Sequence, residues 1–300
     1  MLRTPEGFGL GWLPDYPDFR DHTPDHGPPP EGEEKDTPTL LHEVGVDKVA
    51  ASTALDPSTS LRQYFSPIEN QGNLGSCTAN AGVGILEYFE MRAFGKHVDA
   101  SRLFLYKATR NLMEVTGDTG AFLRTTMQSM VTFGLPPEQY WPYDIATFDR
   151  EPTAFCYSFG QAYRSVRYYR LDPPGTEPDE LLGRIKTNLV AGLPAMLGFT
   201  VYNSYSQTNT NGGAFPYPAP GEHRVGGHAV VAAGYDDAKV IRNEPNGPET
   251  TGALLIRNSW GAAWGDGGYG WLPYEYVASG LTSDWWSLIK AKWVDSGRFG

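Results

Sequence analysis

The sequence predicts an α+β fold built as two lobes. Three observations carry that reading. Helical periodicity is concentrated between Cys77 and about Phe155. After about Gln161 the pattern turns to short β-rich runs separated by turn residues. Helices first and strands later give segregated layers, not alternating βαβ units. The composition agrees. Of 300 residues 40% are hydrophobic and 13% aromatic, enough for a large core, while 35 glycines and 24 prolines demand many turns.

In chain order, residues 1–60 read as an extended N-terminal Pro-rich segment, 61–160 as the helical lobe and 161–300 as the β lobe. From Gly11 to Asp21 the prolines exclude helix and leave an extended run. Residues 27–34, Gly-Pro-Pro-Pro-Glu-Gly-Glu-Glu, read as a linker. Val83, Leu86 and Phe89 then recur at helical spacing until Gly95 closes the run. Ser101 caps a second helix over 101–110. Residues 121–133 form a third, with Phe122, Met127, Met130 and Val131 on its core face and Gly134 as its stop. Later, 163–171 alternates as a strand and 180–189 is a short amphipathic helix. Residues 194–201, 228–235, 253–257 and 268–272 are the remaining strand candidates.

The chemistry gathers around Gln71-Gly-Asn-Leu-Gly-Ser-Cys77. Cys77 falls where a glycine-bearing loop meets a helix N-terminus, whose free N–H groups and partial positive charge favour a thiolate. The Gln71 amide and the Cys77 N–H converge as an oxyanion hole would require. The bland reading, a small buried hydrophobe, is the one adopted for Cys156. Gly226-Gly-His228 opens one apolar strand, and Asn258-Ser-Trp260 ends another. A lone His or Asn in such a place is ordinarily structural. Together, in the order Cys, His, Asn, they suit nucleophilic catalysis: the imidazole takes and returns a proton, and the amide fixes its tautomer.

The run Asn258-Ser-Trp260-Gly-Ala-Ala-Trp264-Gly-Asp-Gly-Gly-Tyr269 resembles the asparagine motif of the papain family at every fixed position. The 71–78 stretch resembles the family's cysteine motif, with Leu74 where a disulfide cysteine is usual and Thr78 where Trp is usual. Gly227 stands where many relatives carry Asn or Asp. The resemblance covers about residues 60–295. It implies a papain-like two-lobe fold, a helical lobe and an antiparallel β-barrel-like lobe with the cleft between them. It also implies a cysteine endopeptidase: Cys77, His228 and Asn258 catalytic, Gln71 and Cys77 at the oxyanion, Trp260 over the His–Asn hydrogen bond. Trp264 would border the leaving-group side, and Gly120, in the 117–120 turn, would pair with an extended peptide. Two rivals share these residues: an acyltransferase (transpeptidase or deamidase) and a catalytically silent binding protein. The N-terminal segment resembles that of disulfide-poor bacterial members. It is expected either to cover part of the cleft or to strap the back of the lobes, with Trp12, Tyr16 and Phe19 as apolar anchors.

A net charge of −11 argues against nucleic acid and anionic membranes. No stretch reaches the ~18 apolar residues of a membrane helix, and no secretory leader is visible. With only two cysteines and Cys77 as nucleophile, no structural disulfide is expected, which fits the cytoplasm or a leaderless export route. His22 and His26 lack helical context and further ligands, so no metal or other cofactor is expected. The expected partner is a peptide or protein substrate of a monomeric enzyme.

Overall fold

The computed structural model describes residues 1–26, 35–52, 54–161 and 167–299. The linker expected at 27–34 and the first half of the strand expected at 163–171 lie outside the described residues. The chain opens with β1 (Leu2–Arg3), β2 (Gly9–Leu10), β3 (Trp12–Leu13), α1 (Thr37–Val44), α2 (Val46–Ala50) and β4 (Ser58–Ser60). The helical lobe follows as α3 (Cys77–Phe94), α4 (Arg102–Leu112), β5 (Ala121–Phe122), α5 (Leu123–Phe133) and α6 (Ala154–Gly160). The β lobe comprises β6 (Arg167–Arg170), α7 (Pro178–Val190), β7 (Ala195–Tyr202), β8 (Arg224–Arg242), β9 (Glu249–Arg257), β10 (Tyr269–Pro273), α8 (Tyr274–Ala278), β11 (Thr282–Ile289) and α9 (Ala291–Val294).

The expected α+β architecture is what forms. A seven-stranded sheet runs β10-β9-β8-β7-β11-β6, with β4 added on β8, and its pairs are antiparallel. Register shifts between β8 and β9 at Ala232/Gly234 and Asp236/Val240 mark bulges, the device that bends a long strand. α3 lies between the lobes and is buried almost along its length. A glycine allows it to sit there: a Cβ on Gly84 would fall 2.3 Å from the guanidinium of Arg257, which crosses the helix. Local signals hold at the helix ends. Ser101 Oγ accepts from Phe104 N–H at 3.1 Å, and Gly95 and Gly134 end their helices at φ 70° and 67°.

Two expectations need correction, and one strand was not foreseen. On α5, Val131 is exposed, and Leu123 and Thr126 join Met127 and Met130 on the buried face. Residues 37–50 are helical despite their proline. Asp36 caps α1 by accepting from Thr39 N–H, Pro38 sits in the first turn where no N–H is needed, and Leu40, Leu41 and Val44 enter the core. β11 was not among the strand candidates, yet it carries the fully buried Trp285 and Trp286.

Candidate active site

Cys77 is the first residue of α3 and has no exposed surface. Main-chain groups of Ala229, from β8, and of Gly11 reach its sulfur. His228 precedes Ala229 and is equally buried. Its Nε2 lies 2.7 Å from Oδ1 of Asn258, the residue that follows β9. Ser259 N–H donates to the same oxygen at 2.8 Å, which fixes the amide's orientation. Nε2 therefore carries the ring hydrogen, and Nδ1, without a hydrogen-bond partner, is the free nitrogen. The Trp260 ring stacks 4.7 Å from the imidazole. Trp264 meets Trp260 edge-on at 5.4 Å and donates from Nε1 to Thr208 at 3.2 Å.

Gln71 ties the helical lobe to the Asn258 loop. Its Oε1 accepts from Ser259 Oγ at 2.6 Å, and its N–H donates to Ser259 O at 2.9 Å. Its Nε2 donates to Leu74 O at 2.8 Å and to Gly9 O at 3.0 Å. The second acceptor belongs to the N-terminal segment, which makes further contacts with both lobes. Phe8 stacks on Trp260 at 5.0 Å. Gly9 N–H donates to Gly72 O at 3.1 Å, and Ala121 N–H donates to Gly11 O at 2.8 Å. β3 then pairs in parallel with β5. Gly120 contributes its lack of a side chain: at φ 78°, a Cβ there would lie 2.3 Å from Gly11 O. Its own N–H donates to Tyr106 Oη at 3.1 Å, so Ala121 supplies the ladder hydrogen bond.

The anchors differ from those expected. Tyr16 and Phe19 are 91% and 88% exposed, whereas Leu10 and Trp12 are buried and Phe8 packs against the core. Trp12 Nε1 donates to Asp284 Oδ2 at 3.1 Å. Beyond Trp12 a charged clasp holds the chain. Arg124 binds Asp15 at 2.7 Å and also Asp21, while Arg170 lies 2.9 Å from Asp172 and 3.2 Å from Asp284. Asp284 and Gly198, which faces the Trp12 ring, belong to no motif and were not among the candidate residues.

Covering the site reverses the expected electrostatics. Burial pushes the Cys77 thiol up to about 11 and the His228 imidazole down to about 4; only the Asn258 hydrogen bond pulls the imidazole the other way. A helix terminus favours the thiolate by roughly 0.3–1 kcal/mol. Removing water from an ion costs more, so both groups are neutral in this state.

Comparison with known proteins follows the same lines. The family described as papain family cysteine protease matches residues 52–285. An uncharacterized peptidase C1-like protein of Acanthamoeba polyphaga mimivirus is 35% identical over 234 residues, 76% of this chain and 71% of the relative. Cysteine proteinase 2 of Zea mays is 29% identical over 229 residues, 73% of this chain but only 56% of the relative. Among solved structures, xylellain, a cysteine protease from Xylella fastidiosa, is similar with a TM-score of 0.72 and 29% identity, covering 97% of this chain and 99% of that one. With its two lobes, its cysteine at the head of the central helix and these relatives, the chain belongs to the papain family of cysteine proteases.

Proposed function

We propose that this cysteine peptidase is an endopeptidase working through Cys77, His228 and Asn258, and that residues 8–13 hold it closed. The observation that carries the reading is the 2.7 Å contact of His228 Nε2 with Asn258 Oδ1 under Trp260, which leaves Nδ1 without a partner one residue before Ala229, whose main chain reaches Cys77. Once the groove is open, the thiol proton passes to Nδ1 and the thiolate attacks the peptide carbonyl. Gln71 Nε2 and the Cys77 N–H hold the oxyanion. The Nδ1 proton goes to the amine nitrogen as the C–N bond breaks. Water, deprotonated at Nδ1, then cleaves the thioester and restores the thiol.

The bound segment supports closure over self-cleavage. In a productive peptide the amine half lies toward His228 and Trp260, and the acyl half toward Gly120 and Ala121. Here the order is opposite: Phe8, on the N-terminal side, stacks on Trp260, and Trp12 and Leu13 pair with Ala121 and Phe122. The carbonyl at Gln71 is that of Gly9, so the polar groups of the oxyanion site are satisfied without a scissile bond being presented. The test is a peptide-library cleavage profile of the full-length chain, the Cys77→Ala chain and a full-length Phe8→Ala/Trp12→Ala chain. Cleavage is expected to vanish in the first variant and to rise at least tenfold in the second. Cleavage that survives Cys77→Ala would end the peptidase reading. A double variant no faster than the native chain would end the closure reading.

A further inference from the structure

We infer that the slot filled by Trp12 selects a tryptophan side chain on the acyl side of the scissile bond. The inference rests on the peptidase reading and adds the substrate class. Two adjacent strands of the β lobe leave bare backbone where the indole lies. A Cβ on Gly198 of β7 would fall 1.9 Å from Trp12 Cε2, and one on Gly227 of β8 would fall 2.7 Å from Cε3. Glycine weakens a strand interior, and its use here is explained by the close approach of a flat ring. The slot sits next to Gly11, whose main chain reaches Cys77, and on the side away from Trp260.

The floor of the slot is a carboxylate. Asp284 has no exposed surface and adopts φ 59°, an uncommon conformation for a residue with a side chain. It lies in an irregularity of β11 between Ser283 and Trp286, and bulges of this kind re-aim side chains. Oδ2 accepts from Trp12 Nε1 at 3.1 Å and from Asp15 N–H at 2.9 Å. Both donors belong to the N-terminal segment. When it leaves, a buried oxygen is stripped of its partners, so a substrate that returns an N–H to that point gains over one that does not. Charge decides which donor suits. Asp15 and Asp21 leave with the segment, and the groups that stay, Arg124 and Arg170 against Asp172 and Asp284, balance. A neutral indole fits that balance. An arginine or lysine would bring a second cation toward Arg170.

The test uses the full-length Trp12→Gly chain, which empties the slot. Indole and benzothiophene have nearly the same shape, but only indole has the N–H. Indole is expected to bind this variant at least tenfold more tightly than benzothiophene, read by calorimetry and by thermal shift, and neither should bind the native chain. Gly198→Ala added to Trp12→Gly should abolish indole binding by filling the slot. On fluorogenic peptides varied at the positions preceding the scissile bond, kcat/KM is expected to favour Trp over Phe, Leu and Arg by at least tenfold at one of them. Equal binding of the two bicycles, or peptide cleavage with no preference for Trp, overturns the inference. Slot selectivity for indole with no cleavage and no Cys77 labelling by an epoxide would instead sink the peptidase reading, and the substrate claim with it.

Discussion

A side chain at position 227 would collide with Trp12, since its Cβ would lie 2.7 Å from both the ring and the carbonyl oxygen of that residue. This gives a structural reason for the glycine at this position. Gly227→Asn is therefore expected to unseat Trp12 and expose Cys77, with iodoacetamide labelling accelerated at least tenfold and Tm lowered by a few degrees. Labelling at the native rate would show that Trp12 does not guard the thiol. At the neighbouring residue, Asn258 fixes which imidazole nitrogen is free. Asn258→Ala is expected to lower kcat/KM by about 10²-fold, because the tautomer and ring tilt are no longer held. Measured in the Phe8→Ala/Trp12→Ala background, this effect is separated from closure. These residues were legible because their motifs are contiguous in sequence. Asp284 was not: no motif surrounds it, and its role comes from a left-handed backbone and from partners on distant segments.

At the scale of elements, the same contrast appears. α3, α4 and α5 could be read because caps, glycine stops and apolar spacing are local signals. α1 is eight residues long and follows a proline-rich run, so its helical character comes from burying Leu40, Leu41 and Val44 against the main body. β11 hides behind Asp284, where the irregular register breaks the alternation that marks a strand. The location of α1 has a consequence for stability. Leu40 has no exposed surface, so Leu40→Ala is expected to destabilise the fold by roughly 2–5 kcal/mol, read as a lower urea midpoint at unchanged m-value. A change under about 0.5 kcal/mol would mean that α1 is not part of the core. Deleting residues 1–60 would remove this helix and β4 along with the closing segment, which makes substitutions in residues 8–12 the cleaner way to open the groove.

For the molecule as a whole, the proposed closure would depend on two buried groups staying neutral, which would make it sensitive to pH. His228 falls from an ordinary 6.5 to about 4, and Cys77 rises from 9.0 to about 11, in both cases by burial. Opening the groove returns both to water. For the imidazole, whose value is depressed when closed, the stabilisation is complete above 6.5 and is lost as pH falls toward 4. For the thiol, whose value is raised, it is complete below 9 and is lost as pH climbs toward 11. Closure is thus tightest between about 6.5 and 9. Asp284, lifted by burial to about 6 despite Arg170 beside it, acts in the opposite direction: the closed state holds its proton more firmly, so acid favours closure there. Each pH unit below 6.5 is expected to shift the equilibrium toward the open state by roughly tenfold from His228 alone, until about pH 4. Amide hydrogen exchange of residues 9–13, corrected for the intrinsic rate, measures this directly. Protection is expected to drop by about 15-fold between pH 6.5 and pH 5, whereas protection that holds constant across that range would show that burial of His228 does not oppose opening in acid.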